Sequence, residues 1–318
     1  MSACIRASLC ASALLLAIPA TAHEIAGNRV FPATLTVDDP GVSDELAFPT
    51  VSTMKNGDTP SAQETGISAE YAKRITDDFA LAISPSWIHI HPPGGPAGRG
   101  ASGFDNIETS AKYRLFKNAE HEFVLSVGVE TEWGGTGAAQ IGAESFNVYT
   151  PTVYFGKGFG DLPDSLAMLR PFAVTGVVGY GIPSRSFSDG EFVPRTIEWG
   201  GSLQYSLPYL KAAVHDYALP DLVNRLVPIV EFSMSTPVSN TFDSGTTTTG
   251  TISPGVLYMG GSYQLGVEAL IPVNRESGRG VGAIAQIHFF LDDIFPNSIG
   301  RPLFSTNIAS GKSYADNQ

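Results

Sequence analysis

From Ile67 onward apolar and polar residues alternate with a period of two, in segments near the ~9 to 11 residues that a tilted strand needs to cross a bilayer. Ile107, Ala111, Tyr113 and Leu115 alternate with Glu108, Ser110, Lys112 and Arg114, and Phe123, Leu125, Val127, Val129 and Trp133 with Ser126, Gly128, Glu130 and Glu132. Ile197, Trp199, Leu203, Tyr205 and Leu207 alternate with Glu198, Gly200, Ser202, Gln204 and Ser206. Leu257, Met259, Tyr263, Leu265 and Val267 alternate with Tyr258, Ser262, Gln264, Gly266 and Glu268. Fainter versions cover 67–75, 79–91, 146–155, 172–180, 228–235 and 281–291. Successive side chains of a strand point to opposite faces, so each segment has one apolar and one polar face.

The connections have their own rhythm. Tight turns at 76–78, 117–120 and 274–280 alternate with Gly-, Ser- or Thr-rich loops at 92–103, 134–145, 184–195 and 239–251. Aromatics such as Tyr71, Trp87, Tyr113, Trp133, Tyr149, Trp199 and Tyr205 fall towards segment ends, where an interfacial girdle would lie. The pattern predicts an all-β fold: a transmembrane, up-and-down antiparallel β-barrel over 46–296. If the short turns are periplasmic, 67–75 runs inward and an outward strand must precede it within 46–54. That makes eleven visible segments, and because bacterial barrels are even-numbered the expectation is twelve strands, with ten the alternative. The missing strand is sought in the tail, 297–318, or in a long connection. Segments 160–170 and 211–225 are longer than tight turns and are expected to carry short periplasmic helices. Residues 23–45, with Asp38, Asp39 and Asp44, do not alternate and are read as either a periplasmic extension or a plug in the lumen.

The first residues set the compartment. Arg6, an apolar run from Leu9 to Ile18 and the small residues Ala20-Thr21-Ala22 read as a signal peptide cleaved after Ala22. The run is shorter than the ~20 residues of a membrane-spanning helix. Cys4 and Cys10, both within it, are the chain's two cysteines, so the mature chain has no disulfide and no thiolate metal site. Leu9 stands before Cys10 where a lipid-attachment motif needs a small residue. The expected destination is the outer membrane of a Gram-negative bacterium, with outer-membrane lipids as surroundings and the barrel-assembly machinery as partner during biogenesis. A net charge of −12 excludes the basic footprint of a nucleic-acid binder.

Charged side chains on the lipid face at the midplane would cost ~2 to 4 kcal/mol each, so they must line the lumen. The expected lining is Glu70, Arg74, Glu108, Lys112, Arg114, Glu130, Glu132, Glu198, Gln204, Glu231, Gln264, Glu268, Gln286 and His288. The acid excess favours cations or neutral solutes over anions, and opposite charges pairing across the lumen would make the passage narrow and gated. His89 and His91 share a strand face with each other and with Trp87, so a bulge near Pro85 would be needed to turn them from lipid. They and His23 are the candidate metal ligands, against a plainer reading as polar decoration of the rim. No Gly-x-Ser-x-Gly elbow occurs, no catalytic residue is assigned and no cofactor is expected. A channel for passive solute uptake is the leading function; a lipid-modifying outer-membrane hydrolase and a soluble periplasmic β-sandwich are the alternatives.

Three stretches carry a family resemblance: Asp38-Asp39-Pro40-Gly41, Ile75-Thr76-Asp77-Asp78-Phe79-Ala80-Leu81, and Gln286-Ile287-His288-Phe289-Phe290-Leu291-Asp292-Asp293-Ile294-Phe295-Pro296. With them most of the mature chain resembles the outer-membrane transporter family associated with the meta-cleavage pathway of phenol degradation. The resemblance implies uptake of small, often aromatic or hydrophobic, solutes without energy coupling. The matching positions are structural, so it implies no solute-contacting residue. Such barrels commonly end on the aromatic of the last strand, whereas this chain runs on from Pro296 to Gln318.

Overall fold

The computed structural model describes residues 24–92 and 100–304. Twelve antiparallel strands form one sheet closed on itself. They are β1 (Glu45–Lys55), β2 (Gln63–Thr76), β3 (Phe79–Ser84 and Ser86–His91), β4 (Ala101–Phe104 and Ile107–Asn118), β5 (Phe123–Trp133) and β6 (Val148–Gly158). β7 (Phe172–Pro183), β8 (Arg195–Tyr205), β9 (Leu226–Ser239), β10 (Thr249–Met259), β11 (Tyr263–Pro272) and β12 (Arg279–Phe290) complete the wall. Each strand pairs with its predecessor, and β12 closes the seam on β1 from Phe290 opposite Glu45 to Arg279 opposite Lys55. Closure leaves no strand edge with unpaired backbone groups, the condition for a sheet surrounded by hydrocarbon. A closed single sheet also replaces the sandwich alternative, which needs two sheets packed face to face.

Both ends of the chain leave the wall at the same end, the turn end. There the connections are two tight turns, 77–78 and 119–122, the three-residue turn 260–262, and two helical crossings. Asp164–Leu169 forms a 3-10 helix in one crossing, and Leu207–Tyr209, Leu210–Val214 and Asp221–Asn224 form short helices in the other, as the lengths of these segments predict. The opposite, loop end carries 56–62, 92–100, 134–147, 184–194, 240–248 and 273–278.

Three expectations are corrected here. The missing strand is β10: the single alternation read over 257–267 is the end of β10, the turn 260–262 and the start of β11. The turn reverses parity, so Leu257 is fully buried inside while Leu265 and Val267 are exposed outside. The tail supplies no strand among the described residues; after β12 comes one helical turn, Leu291–Ile294, and the rest up to Phe304 is irregular. The connection around 274–280 lies at the loop end, because the strand missed upstream shifted the count of ends by one.

The outer face is apolar. Ile67, Leu81, Tyr113, Val153, Val178, Leu203, Val230 and Val267 are all exposed, as a lipid-facing belt requires. Trp133 and Trp199 sit near the loop end and donate their indole N–H to Thr109 and Thr236, while Phe172 stacks edge-on against Tyr205 at the turn end. β3 is broken at Pro85, which has no N–H for the ladder. Its register against β2 nevertheless runs on unchanged from Ile83 opposite Tyr71 to Ser86 opposite Ser68.

The interior is filled by the chain's own N-terminal segment. A hairpin of Glu24–Ala26 and Arg29–Phe31 enters at the turn end, and residues 32–44 run on within the barrel. Phe31 and Ala26 pack on Val124 and Ala173 of the wall, and Leu35 packs against the wall cluster of Val227, Ile229 and Leu257. Of the two readings open for this segment, the plug is the one that forms.

Candidate functional site

The plug is pinned by a ring of charge-assisted bonds, each buried or half-buried. At its hairpin, Arg29 donates to Glu122 at 3.0 Å and to the Pro171 carbonyl at 3.0 Å, and also to the Arg170 carbonyl. Its guanidinium lies 3.9 Å from the centroid of Tyr209, whose hydroxyl donates to Glu122 at 2.8 Å. Glu24 pairs with Arg114 at 2.7 Å, and Arg114 reaches on to Asp78 at 2.6 Å. At the far end of the segment Asp44 takes Arg74 at 2.8 Å and Lys73, with Arg74 also 3.3 Å from Asp292. Breaking such a buried pair by removing one partner costs roughly 3–5 kcal/mol.

The middle of the plug is held by a backbone latch. The fully buried carboxylate of Glu231 on β9 accepts the N–H groups of Leu35, Thr36 and Val37 at 2.9, 2.7 and 3.1 Å, and the Thr36 hydroxyl at 2.7 Å. Gln264 of β11 donates to the Ala33 carbonyl at 2.6 Å, and Ser126 of β5 to the Pro40 carbonyl at 2.7 Å. The wall is thinned where the plug leans on it: a Cβ at Gly200 would stand 3.2 Å from Val37, and one at Gly266 would stand 2.6 Å from Leu35. Glycine at these points admits the close approach.

The plug tip, Asp38 and Asp39, meets Lys112 of β4, which bonds the Asp38 carboxylate at 2.7 Å and the Asp39 carbonyl at 2.8 Å. Lys112 also lies 4.5 Å from the Tyr154 ring, and the Tyr154 hydroxyl donates to Glu130 at 2.5 Å. Burial pushes the Asp39 carboxyl up to about 8, with Glu45 and Asp38 adding to the rise against the pull of Lys112 and the Gly41 N–H.

Around this tip the lumen opens into a polar chamber on the loop side. One lobe of about 380 Å³ lies between the plug and β1, β2, β3 and β12, lined by Asp38, Asp39, Glu45, Glu70, Glu108, Gln286 and His288 among others. A second, of about 360 Å³, shares Asp38, Glu70, Ser84 and Glu108 with it and adds Glu130, Glu132 and Glu198. A third, of about 220 Å³, joins at Asp38, Glu130 and Glu198. On the turn side a separate and more apolar cavity of about 550 Å³ lies under the helical crossing, lined by Val30, Pro32, Pro208, Tyr209, Val227 and Met259. Pro32 faces one compartment and its neighbour Ala33 the other, so the plug is the partition between them.

The charged and amide positions named for the lumen divide by what they meet. Glu70, Glu108, Glu130, Glu132, Glu198, Gln286 and His288 line the chamber. Lys112, Arg74, Arg114, Glu231 and Gln264 hold the plug. Gln204 and Glu268 are buried inside, Glu268 within the electrostatic reach of Glu231. Sequence reasoning missed Arg29, Glu122, Asp44, Glu45 and Tyr209. The acid-rich, non-alternating segment before β1 was the signal for Asp44 and Glu45; Arg29, Glu122 and Tyr209 had none in the alternation.

The histidine pair faces outward. The unbroken register at Pro85 keeps His89 and His91 on the outer face with Trp87, which stacks on His89 at 6.0 Å. His89 Nδ1 lies 2.5 Å from Ser102 Oγ, and its Nε2 lies 3.2 Å from His91 Nδ1. Among the described residues no three histidine, cysteine or acidic side chains group as metal ligands. His23 and the signal-peptide cleavage site lie outside the described residues.

No protein-family model and no curated protein match the sequence. Among solved structures the chain is similar to the KdgM porin, at 11% identity over 77% of this chain and 98% of that one, with a TM-score of 0.44. It is similar to the NanC porin at 9% identity over 76% and 98%, with a TM-score of 0.46. LpxR from Salmonella typhimurium aligns at 12% identity over 77% and 99%, with a TM-score of 0.41. At these identities and scores the functional reading rests on the geometry of the lumen.

Proposed function

We propose that the chain is a passive channel of the bacterial outer membrane, delivered by a signal peptide cleaved after Ala22, whose N-terminal segment gates the lumen. The observation that carries this reading is the pairing of an apolar outer belt with an acidic chamber that ends on the plug. Solutes enter the chamber from the loop end and pass when the plug yields at its tip. The lining favours small cationic or neutral solutes by charge complementarity. The resemblance to phenol-pathway transporters supports the uptake role. Its aromatic solutes would find apolar surroundings in the cavity under the helical crossing. The test has two stages. The full-length chain should fractionate with the outer membrane and migrate differently on electrophoresis with and without boiling. In planar bilayers under a salt gradient its reversal potential should then report cation preference, reduced in Glu130→Gln and Glu198→Gln. Release into the periplasm with no boiling shift would sink the reading.

A second reading, an outer-face hydrolase, has one observation in its favour: the Ser102–His89–His91 chain of contacts beside the lipid belt. A hydroxyl against an imidazole is the start of a nucleophilic pair. Turnover of a phospholipid ester in mixed micelles that disappears in Ser102→Ala would support it, and no turnover by the wild-type chain would end it.

A further inference from the structure

We infer that the chamber above the plug is a binding site for a linear diammonium compound, a short polyamine-like guest held between two sets of carboxylates. The inference deepens the channel reading by naming a solute class, and it rests on that reading only for passage, not for binding.

The first ground is the balance of donors and acceptors. Ionised carboxylates accept only, and both larger lobes carry acids besides Asp39, whose burial favours its protonated form. The cations at hand are committed: Lys112 to Asp38 and the Asp39 carbonyl, and the Nε2 of His288 to Glu45 at 3.0 Å. Hydroxyls that could donate are partly used, Ser84 on Glu70 and Thr34 on the Val37 carbonyl. A guest that fits must bring donors and positive charge.

The second ground is independent of the acids. Gln286, 9% exposed, gives its amide nitrogen to Thr50 at 3.0 Å, and its Oε1 has no partner. His288, 4% exposed, is engaged through Nε2, and its Nδ1 has no partner. Gln286 lines the first lobe, so a buried acceptor stands unmatched there. Leaving a buried acceptor unmatched is unfavourable, and a donor-bearing guest recovers that loss.

The shape decides between guests. The lobes of about 380 and 360 Å³ meet at Glu70 and Glu108, with acids on both sides of the junction. An ammonium in each lobe with an alkyl link across the junction matches charge at both ends. A neutral diol of equal length donates as well but leaves the carboxylates uncompensated. A bare divalent ion needs several oxygens at about 2.0–2.6 Å, and no ligand group of that kind forms among the described residues.

The test is calorimetric titration of the full chain folded in zwitterionic detergent with 1,4-diaminobutane, 1,4-butanediol and magnesium chloride. The expected result is saturable one-to-one binding of the diamine, none of the diol, and tenfold or greater weakening in Gln286→Leu and in Glu70→Gln. Both variants are first checked for the boiling-dependent shift. If Glu70→Gln fails that check, Gln286→Glu replaces it and should bind the diamine more tightly. Diamine heats unchanged in variants that fold, or diol binding equal to diamine binding, would overturn the inference. So would magnesium displacing the diamine at equal concentration, which marks diffuse acidity alone. Bilayer conductance is measured separately: binding without conduction keeps the site and sinks the channel, and conduction without binding does the reverse.

Discussion

Glu231→Gln should unlatch the plug. In the wild-type chain Oε2 of Glu231 takes three of the four bonds, from the N–H groups of Thr36 and Val37 and the Thr36 hydroxyl, and Oε1 takes the fourth from Leu35. A glutamine can keep its oxygen at the busier position, but its NH2 then faces the Leu35 N–H and orphans it, at about 1–3 kcal/mol. The three bonds that survive change from charge-assisted to neutral, losing roughly 1 kcal/mol each. Relief of the like charge of Glu268 returns a part. The net is roughly 3 kcal/mol against docking, and since 1.4 kcal/mol is tenfold, the undocked fraction rises by about a hundredfold. The assay is maleimide labelling of Ala33→Cys, buried at the partition, in a chain whose own cysteines, Cys4 and Cys10, are replaced by serine. When opening is fast relative to labelling, the rate follows the open population. Labelling at the same rate with and without Glu231→Gln, in barrels that both shift on boiling, would refute the latch.

Leu203 is exposed on the lipid face of β8, so Leu203→Arg should cost ~2 to 4 kcal/mol near the midplane and remove the boiling-dependent shift, whereas Glu198→Gln should leave it intact. Docking should weaken with rising pH through Asp39, whose carboxyl is pushed from 3.8 up to about 8 when the plug is seated. The seated state binds the extra proton, so the stability it confers is complete below the unseated value and is lost as pH climbs through the seated one. Conductance should therefore rise towards pH 9, and Asp39→Asn should flatten the rise; an identical profile in both would contradict it.

Much of the wall was legible because two constraints agree: lipid demands apolar residues outside, and strands alternate. Where the lumen holds water or ion pairs, parity reads directly, as at Glu130, Glu132 and Glu198. The reading failed where the plug makes the inside apolar as well. Leu257 and Met259 looked lipid-facing, yet Leu257 packs inside beneath Leu35 and Met259 lines the turn-side cavity, and that inverted run joined smoothly to Tyr263 and Leu265 across a turn that is itself only three residues, 260–262. The plug's place could not be read, because a non-alternating acidic segment has the same composition in the periplasm as in the lumen. Its complement, the bases Arg74, Lys112 and Arg114, was visible on the wall but seemed to be matched by wall acids. The outward histidines turned on whether Pro85 shifts the register, which only pairing with β2 decides.

The bond from Gln264 to Ala33 also bears on how the cylinder is built. The seam joins Phe290 to Glu45, partners separated by most of the polypeptide. Once Ala33 is fastened to Gln264, the loop left to close is roughly sixfold shorter, a saving of about 1.6 kcal/mol in closure entropy. A strip tied to strands on several sides of the cylinder is most simply enclosed by them as they join. The stretch just before the first strand then serves as the mandrel on which the last strand finds the first.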